Sequence, residues 1–129
     1  MIGRTLLVLT AVLALAGPAA AHARSEYEVK AAFLFNIARF VEWPSSAGPD
    51  GAGEFRLCVV GEDPFGGALA ALERRRLHDQ RVVVRRPQSP LRMERCHLLF
   101  ISPSATRFRV AAVLDVVGRR PVLTVGDSP

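Results

Sequence analysis

The sequence predicts an α/β fold of three layers: a mainly parallel sheet with helices on both faces, preceded by an amphipathic helix. Three observations lead there. Helix-period and apolar segments follow one another as helix, strand, helix, strand, strand, helix, strand. The strand segments are near-continuous apolar runs, as strands covered on both faces require. Two of them run into a cap residue and proline, Asp63-Pro64 and Ser102-Pro103, the start signal of a helix leaving a strand end. Right-handed crossovers then favour the spatial strand order 2-1-3-4.

Before the fold begins, Met1 to Arg4 is a short basic start, Thr5 to Ala16 an unbroken apolar or small-residue run, and Ala21-His22-Ala23 a small-x-small site. This is the layout of a secretory signal peptide. About 12 residues at 1.5 Å each span ~18 Å as a helix, short of the ~30 Å hydrocarbon core. Residues 1–23 are therefore expected to be cleaved, after Ala23 or alternatively Ala21, and not kept as a transmembrane anchor. Residues 24–129 then form a single domain in the periplasm.

Ser25 followed by Glu28 is a capping box, so the first helix starts there. Tyr27, Phe33, Leu34, Ile37, Phe40 and Val41 recur at steps of three and four as one broad apolar face, and Pro44 ends the helix. Ser45 to Gly53 is a surface loop. Phe55 to Val60 is the first strand. Asp63 as N-cap and Pro64 at N1 open a second helix with Phe65, Ala68, Leu69 and Leu72 inward, closed by Arg74, Arg75 and Arg76 at the negative end of its dipole. Val82 to Val84, flanked by arginines, reads as an edge strand, and Pro87 to Arg95 as a linker. That linker, of about nine residues, is short for a parallel crossover. His97 to Ile101 is the third strand. Ser102-Pro103 opens a third helix burying Val110, Val113, Leu114 and Val117 and stopping at Gly118, and Pro121 to Val125 is the fourth strand. Ser128-Pro129 is one more cap-proline pair with no helix after it.

Cys58 and Cys96 are the two cysteines. An oxidising compartment allows them one pairing, with two unlinked buried thiols as the alternative. The net charge is +5, of which Arg4 leaves with the leader, and Lys30 is the sole lysine. So mild an excess, in an exported protein, argues against nucleic acid as a partner.

Ligands of parallel sheets bind beyond the carboxyl ends of the strands. Those ends carry Glu62, Asp63, Ser102, Asp127 and Ser128. Carboxylates and hydroxyls there could hold a cation, but Asp63, Ser102 and Ser128 already serve as helix caps, so no metal is assigned. A phospho-receiver reading needs an aspartate where Ser102 stands. Gly61 to Gly67 lacks the lysine of a phosphate loop. No Gly-x-Ser-x-Gly or His-Glu-x-x-His is present, and none of the three histidines has a partner visible in the sequence. The chain is therefore read as a non-enzyme without a cofactor. Phe40 and Trp43, at the end of the first helix, are candidate partner contacts, since aromatic residues dominate interaction hot spots; partly buried core is the other reading of Trp43.

Four segments, YEVKAAFLFNIARFVEWP (27–44), FRLCVVGEDPFGGAL (55–69), CHLLFIS (96–102) and RPVLTVGDSP (120–129), together resemble the YfiR-like family of bacterial periplasmic proteins. The resemblance implies an α/β fold and a cysteine pair at Cys58 and Cys96. It also implies a repressor of an inner-membrane diguanylate cyclase, coupling envelope or redox state to cyclic di-GMP, with the periplasmic region of that cyclase or of a sensor as partner. A periplasmic small-ligand-binding protein using the strand-end crevice is the alternative. Family members continue past the Gly-Asp-Ser segment, and together with Ser128-Pro129 this reads as a C-terminal truncation. A sheet face left bare near Val122 and Val125 would then make the chain marginal in isolation or lead it to homodimerise.

Overall fold

The computed structural model describes residues 25–44 and 53–127; residues 1–24, with the expected leader, residues 45–52, in the expected surface loop, and the pair Ser128-Pro129 lie outside them. The first helix, α1 (Glu26–Phe40), starts on the expected capping box: Ser25 N–H donates to Glu28 Oε2 at 2.6 Å and Glu28 N–H to Ser25 Oγ at 3.3 Å. Its buried face differs from the expected one. Ala31, Leu34, Phe35 and Ala38 face the core, whereas Phe33 and Phe40 face solvent. The sequence offers two apolar stripes, and the one bearing two alanines wins because small side chains let the helix axis approach the sheet closely.

Five strands form one sheet: β1 (Glu54–Val60), β2 (Arg76–Leu77), β3 (Gln80–Arg85), β4 (Leu98–Ile101) and β5 (Leu123–Gly126), in spatial order β2-β3-β1-β4-β5. The four long strands run parallel in the expected order, and β2 adds an antiparallel edge. The register aligns Leu57 with Val84 and with Leu98, and Leu98 with Leu123. Side chains alternate, so Phe55, Leu57, Val59, Val82, Val84, Leu98 and Phe100 share one core with α1 and α2 (Ala68–Leu72). Cys58, Val60 and Leu99 share the opposite one with Met93 of a 3-10 helix (Pro90–Arg95) and with Val113 and Val117 of α3 (Arg107–Val117). The three layers are thus those expected.

Four local readings change. The Val82–Val84 strand is not a bare edge: a hairpin turning through His78 and Asp79, both at positive φ, lays β2 beside it. Beyond β2, Val82 N–H donates to Arg75 O (3.3 Å) and Val84 N–H to Glu73 Oε1 (2.9 Å). Arg76 therefore belongs to a strand and does not close a helix. The second helix is a five-residue turn because Gly66 (φ 57°) interrupts it, and Asp63 caps a tight turn instead, its Oδ1 accepting from Phe65 N–H at 2.8 Å. Similarly, Ser102 to Ala105 closes a turn (Ala105 N–H to Ser102 O, 3.0 Å), and the cap of α3 is Thr106. Finally, the short linker suffices because it crosses only β1, about 10 Å at ~4.8 Å per strand. Six residues of 3-10 helix at ~2 Å each cover that distance.

Cys58 and Cys96 are joined, with Cα atoms 6.0 Å apart. The bond ties β1 to the end of the crossover, since Cys96 is the C-cap of the 3-10 helix and precedes β4. β4 is buried throughout, whereas Leu123, Thr124 and Val125 of β5 are only half-buried.

Candidate functional site

At the carboxyl ends of the strands the chain bonds mostly to itself. Gly61 turns at φ 88°, and the next amide, of Glu62, donates to Ser104 Oγ at 2.8 Å, itself 3.2 Å from Ser102 Oγ. Ser102 is buried and Glu62 exposed. The Asp63 carboxylate accepts from Arg86 Nε at 2.8 Å. Asp127 takes the Lys30 ammonium on both oxygens, at 2.9 and 2.8 Å, with the Tyr27 hydroxyl at 3.4 Å. The hydrogen bond to Asp127, then that to Glu26, holds the Lys30 pKa above its ordinary value. Tyr27 packs edge-on against Phe65, and Phe65 against Phe100. Asp63 and Asp127 thus turn to different partners, while Glu62 stays exposed. Among the described residues no group of three or more His, Cys, Asp and Glu side chains could hold a metal ion. Ser128, the last candidate at this end, lies outside the described residues.

Trp43 sits over the opposite end of the sheet, half-buried, with its ring edge-on to Phe55 (5.2 Å), His97 (6.0 Å) and His78 (6.1 Å). His97 is buried, stacks on Phe55 at 5.0 Å, and accepts the Arg56 amide on Nδ1 at 2.9 Å. His78 donates from Nε2 to the Ala38 carbonyl, 3.0 Å away, closing the end of α1 onto the β2–β3 turn. These rings fix where α1 ends.

Phe40, one helical turn earlier, is 88% exposed. Val29 (54%) and Phe33 (62%) are exposed with it. At ~100° per residue the three fall within about 40° of arc, a single apolar ridge along the outside of α1. Sequence reasoning placed Phe33 in the core and passed over Val29. The available signal was the competing stripe of Ala31, Leu34, Phe35 and Ala38.

Fold and site together define a class: a small disulfide-stapled α/β domain whose strand-end acids are largely tied up internally and whose first helix turns aromatic side chains outward. The chain belongs to the YfiR/HmsC-like family, which it matches over residues 27–129. No curated protein matches it. Among the described residues no helix is long and apolar enough to cross a membrane.

Proposed function

We propose that this protein is an exported regulatory binding protein that restrains an inner-membrane diguanylate cyclase by docking on its periplasmic region through the outer face of α1. The observation that carries the reading is the ridge of Val29, Phe33 and Phe40. Large apolar side chains held in water on a rigid helix favour association, because covering each removes apolar surface at about 25 cal/mol per Å². A helix face read at i, i+4 and i+11 also offers the spaced anchors of helix-mediated recognition. Membership of the YfiR/HmsC-like family supports the regulatory role, and the leader-like residues 1–23 support export.

The test is cyclic di-GMP measured in a strain carrying the cognate membrane cyclase and a deletion of this gene, complemented in turn with each variant. Wild type should lower cyclic di-GMP. Phe33→Asp/Phe40→Asp should leave it at the level of the deletion strain, with a thermal midpoint within a few degrees of wild type because both side chains are already in solvent. Ala112→Asp, an exposed site on α3 across the sheet from α1, should repress normally. Protein from the periplasmic extract of that strain should begin at Arg24 or His22. Full repression by the double variant removes α1 as the docking surface; no repression by wild type removes the regulatory reading.

A further inference from the structure

On the face of the sheet shared with α3 lies a groove of about 700 Å³, away from the ridge of α1. Its walls carry five arginines against two glutamates, and the Cys58–Cys96 disulfide also lines it. Arg56 of β1 and Arg85 at the end of β3 stand on one side, Arg92 and Arg95 of the 3-10 helix on the other. Arg56 is far in sequence from Arg92 and Arg95, whereas Arg85 lies just before the linker that carries them. The linker is therefore what assembles the groove, and the disulfide at its end holds the second wall to the first.

The acids in the groove are already engaged by cations from outside it. Glu54 Oε1 accepts from Arg81 at 3.1 Å, leaving its other oxygen 3.9 Å from Arg85, and Glu94 pairs with Arg120 at 3.1 Å. Neither Arg81 nor Arg120 lines the groove. Arg86 is taken by Asp63, whereas among the described residues Arg92 and Arg95 are in no ion pair. Arg92 and Arg95 thus bring to the groove positive charge that no acid among the described residues pairs with.

We propose that this groove binds a small organic anion bearing two or more carboxylate or phosphate groups, held between Arg92 and Arg95 on one wall and Arg56 and Arg85 on the other. The volume is that of a small-molecule site, typically 300–1,000 Å³. The guanidinium fork matches carboxylate and phosphate oxygens two at a time, and arginines on both walls call for more than one such group. Arg56 is pre-positioned for the task, its Nε donating to the Arg95 carbonyl at 2.6 Å and so bracing the two walls against each other.

The experiment titrates the purified, disulfide-intact protein with citrate and, separately, with pyrophosphate. Binding is followed by calorimetry and by amide chemical shifts, with a hexaglutamate peptide as a third ligand. At least one small anion should bind, shifting the amides of Arg56, Arg85, Arg92 and Arg95 together; citrate alone assigns a polycarboxylate and pyrophosphate alone a phosphate ester. Arg92→Gln/Arg95→Gln, at exposed positions, should weaken that binding at least tenfold. Arg74→Gln/Arg119→Gln, which removes the same charge elsewhere, should change it less than twofold. The proposal is overturned if neither small anion shifts the groove amides, if both double variants weaken binding equally, or if only the peptide binds.

Discussion

Gly61 shows how much a single residue can decide. It holds φ at 88°, and a Cβ built on it would lie 2.7 Å from Ser104 Oγ and 3.2 Å from the Ala105 nitrogen. The turn after β1 therefore needs glycine twice, for its backbone angle and for the approach of the turn after β4. Positive φ costs an L-residue about 1–2 kcal/mol, and the displaced Ser104 would lose its bond from the Glu62 amide, worth about 1 kcal/mol. Gly61→Ala should accordingly lower stability by about 2–3 kcal/mol in urea unfolding. A loss under 0.5 kcal/mol would mean that this turn is free to relax. Glycine in an apolar-strand-to-turn context is readable from sequence; its contact with Ser104 is not, because the two are far apart in the chain.

At the scale of elements, the crossover between β3 and β4 has the largest consequence. It is short and carries one buried anchor, Met93, and the disulfide at its end supplies a second attachment. Closing a loop with a sequence separation of 38 removes unfolded-state entropy worth about 4 kcal/mol on the chain-entropy model. Cys58→Ala/Cys96→Ala should therefore unfold with a free energy lower by about 3–5 kcal/mol. Thiol labelling of unreduced, denatured wild type should find no reactive cysteine. Two labelled thiols per chain would contradict the bond. The helices show the limit of element-level reasoning. The capping box of α1 is local, so Ser25 and Glu28 were legible; the inward stripe of α1 is not, because it depends on which residues let the helix close on the sheet.

Across the whole molecule, one ion pair joins the first helix to the last strand. Lys30 reaches Asp127 from 97 residues away, and its ammonium lies 4.8 Å from the centre of the Tyr27 ring. A lysine whose folded pKa is raised stabilises the fold fully below its unfolded value of about 10.4, and that contribution fades as pH rises through the folded value. Lys30→Met should thus lower the urea midpoint by a constant amount between about pH 7 and 10, and the gap should narrow above about pH 10.4. A gap that persists unchanged at still higher pH, or is missing at pH 7, would show that the pair does not hold β5 to α1. β5 is where such a tie matters most, since its side chains are only half-covered.

The alternation of apolar runs with capped helical segments, on its own, determined the α/β class, the four parallel strands and their order, because each signal is local and right-handed crossovers leave few arrangements. The cysteine count determined the one possible disulfide. Only the tertiary structure decided that Asp63 turns to Arg86 and Asp127 to Lys30, that Phe33 and Phe40 face solvent, and that arginines from β1, β3 and the 3-10 helix share one groove. Those outcomes depend on pairings between residues tens of positions apart. The chain sets such distances only when the sheet closes, and no periodicity records them.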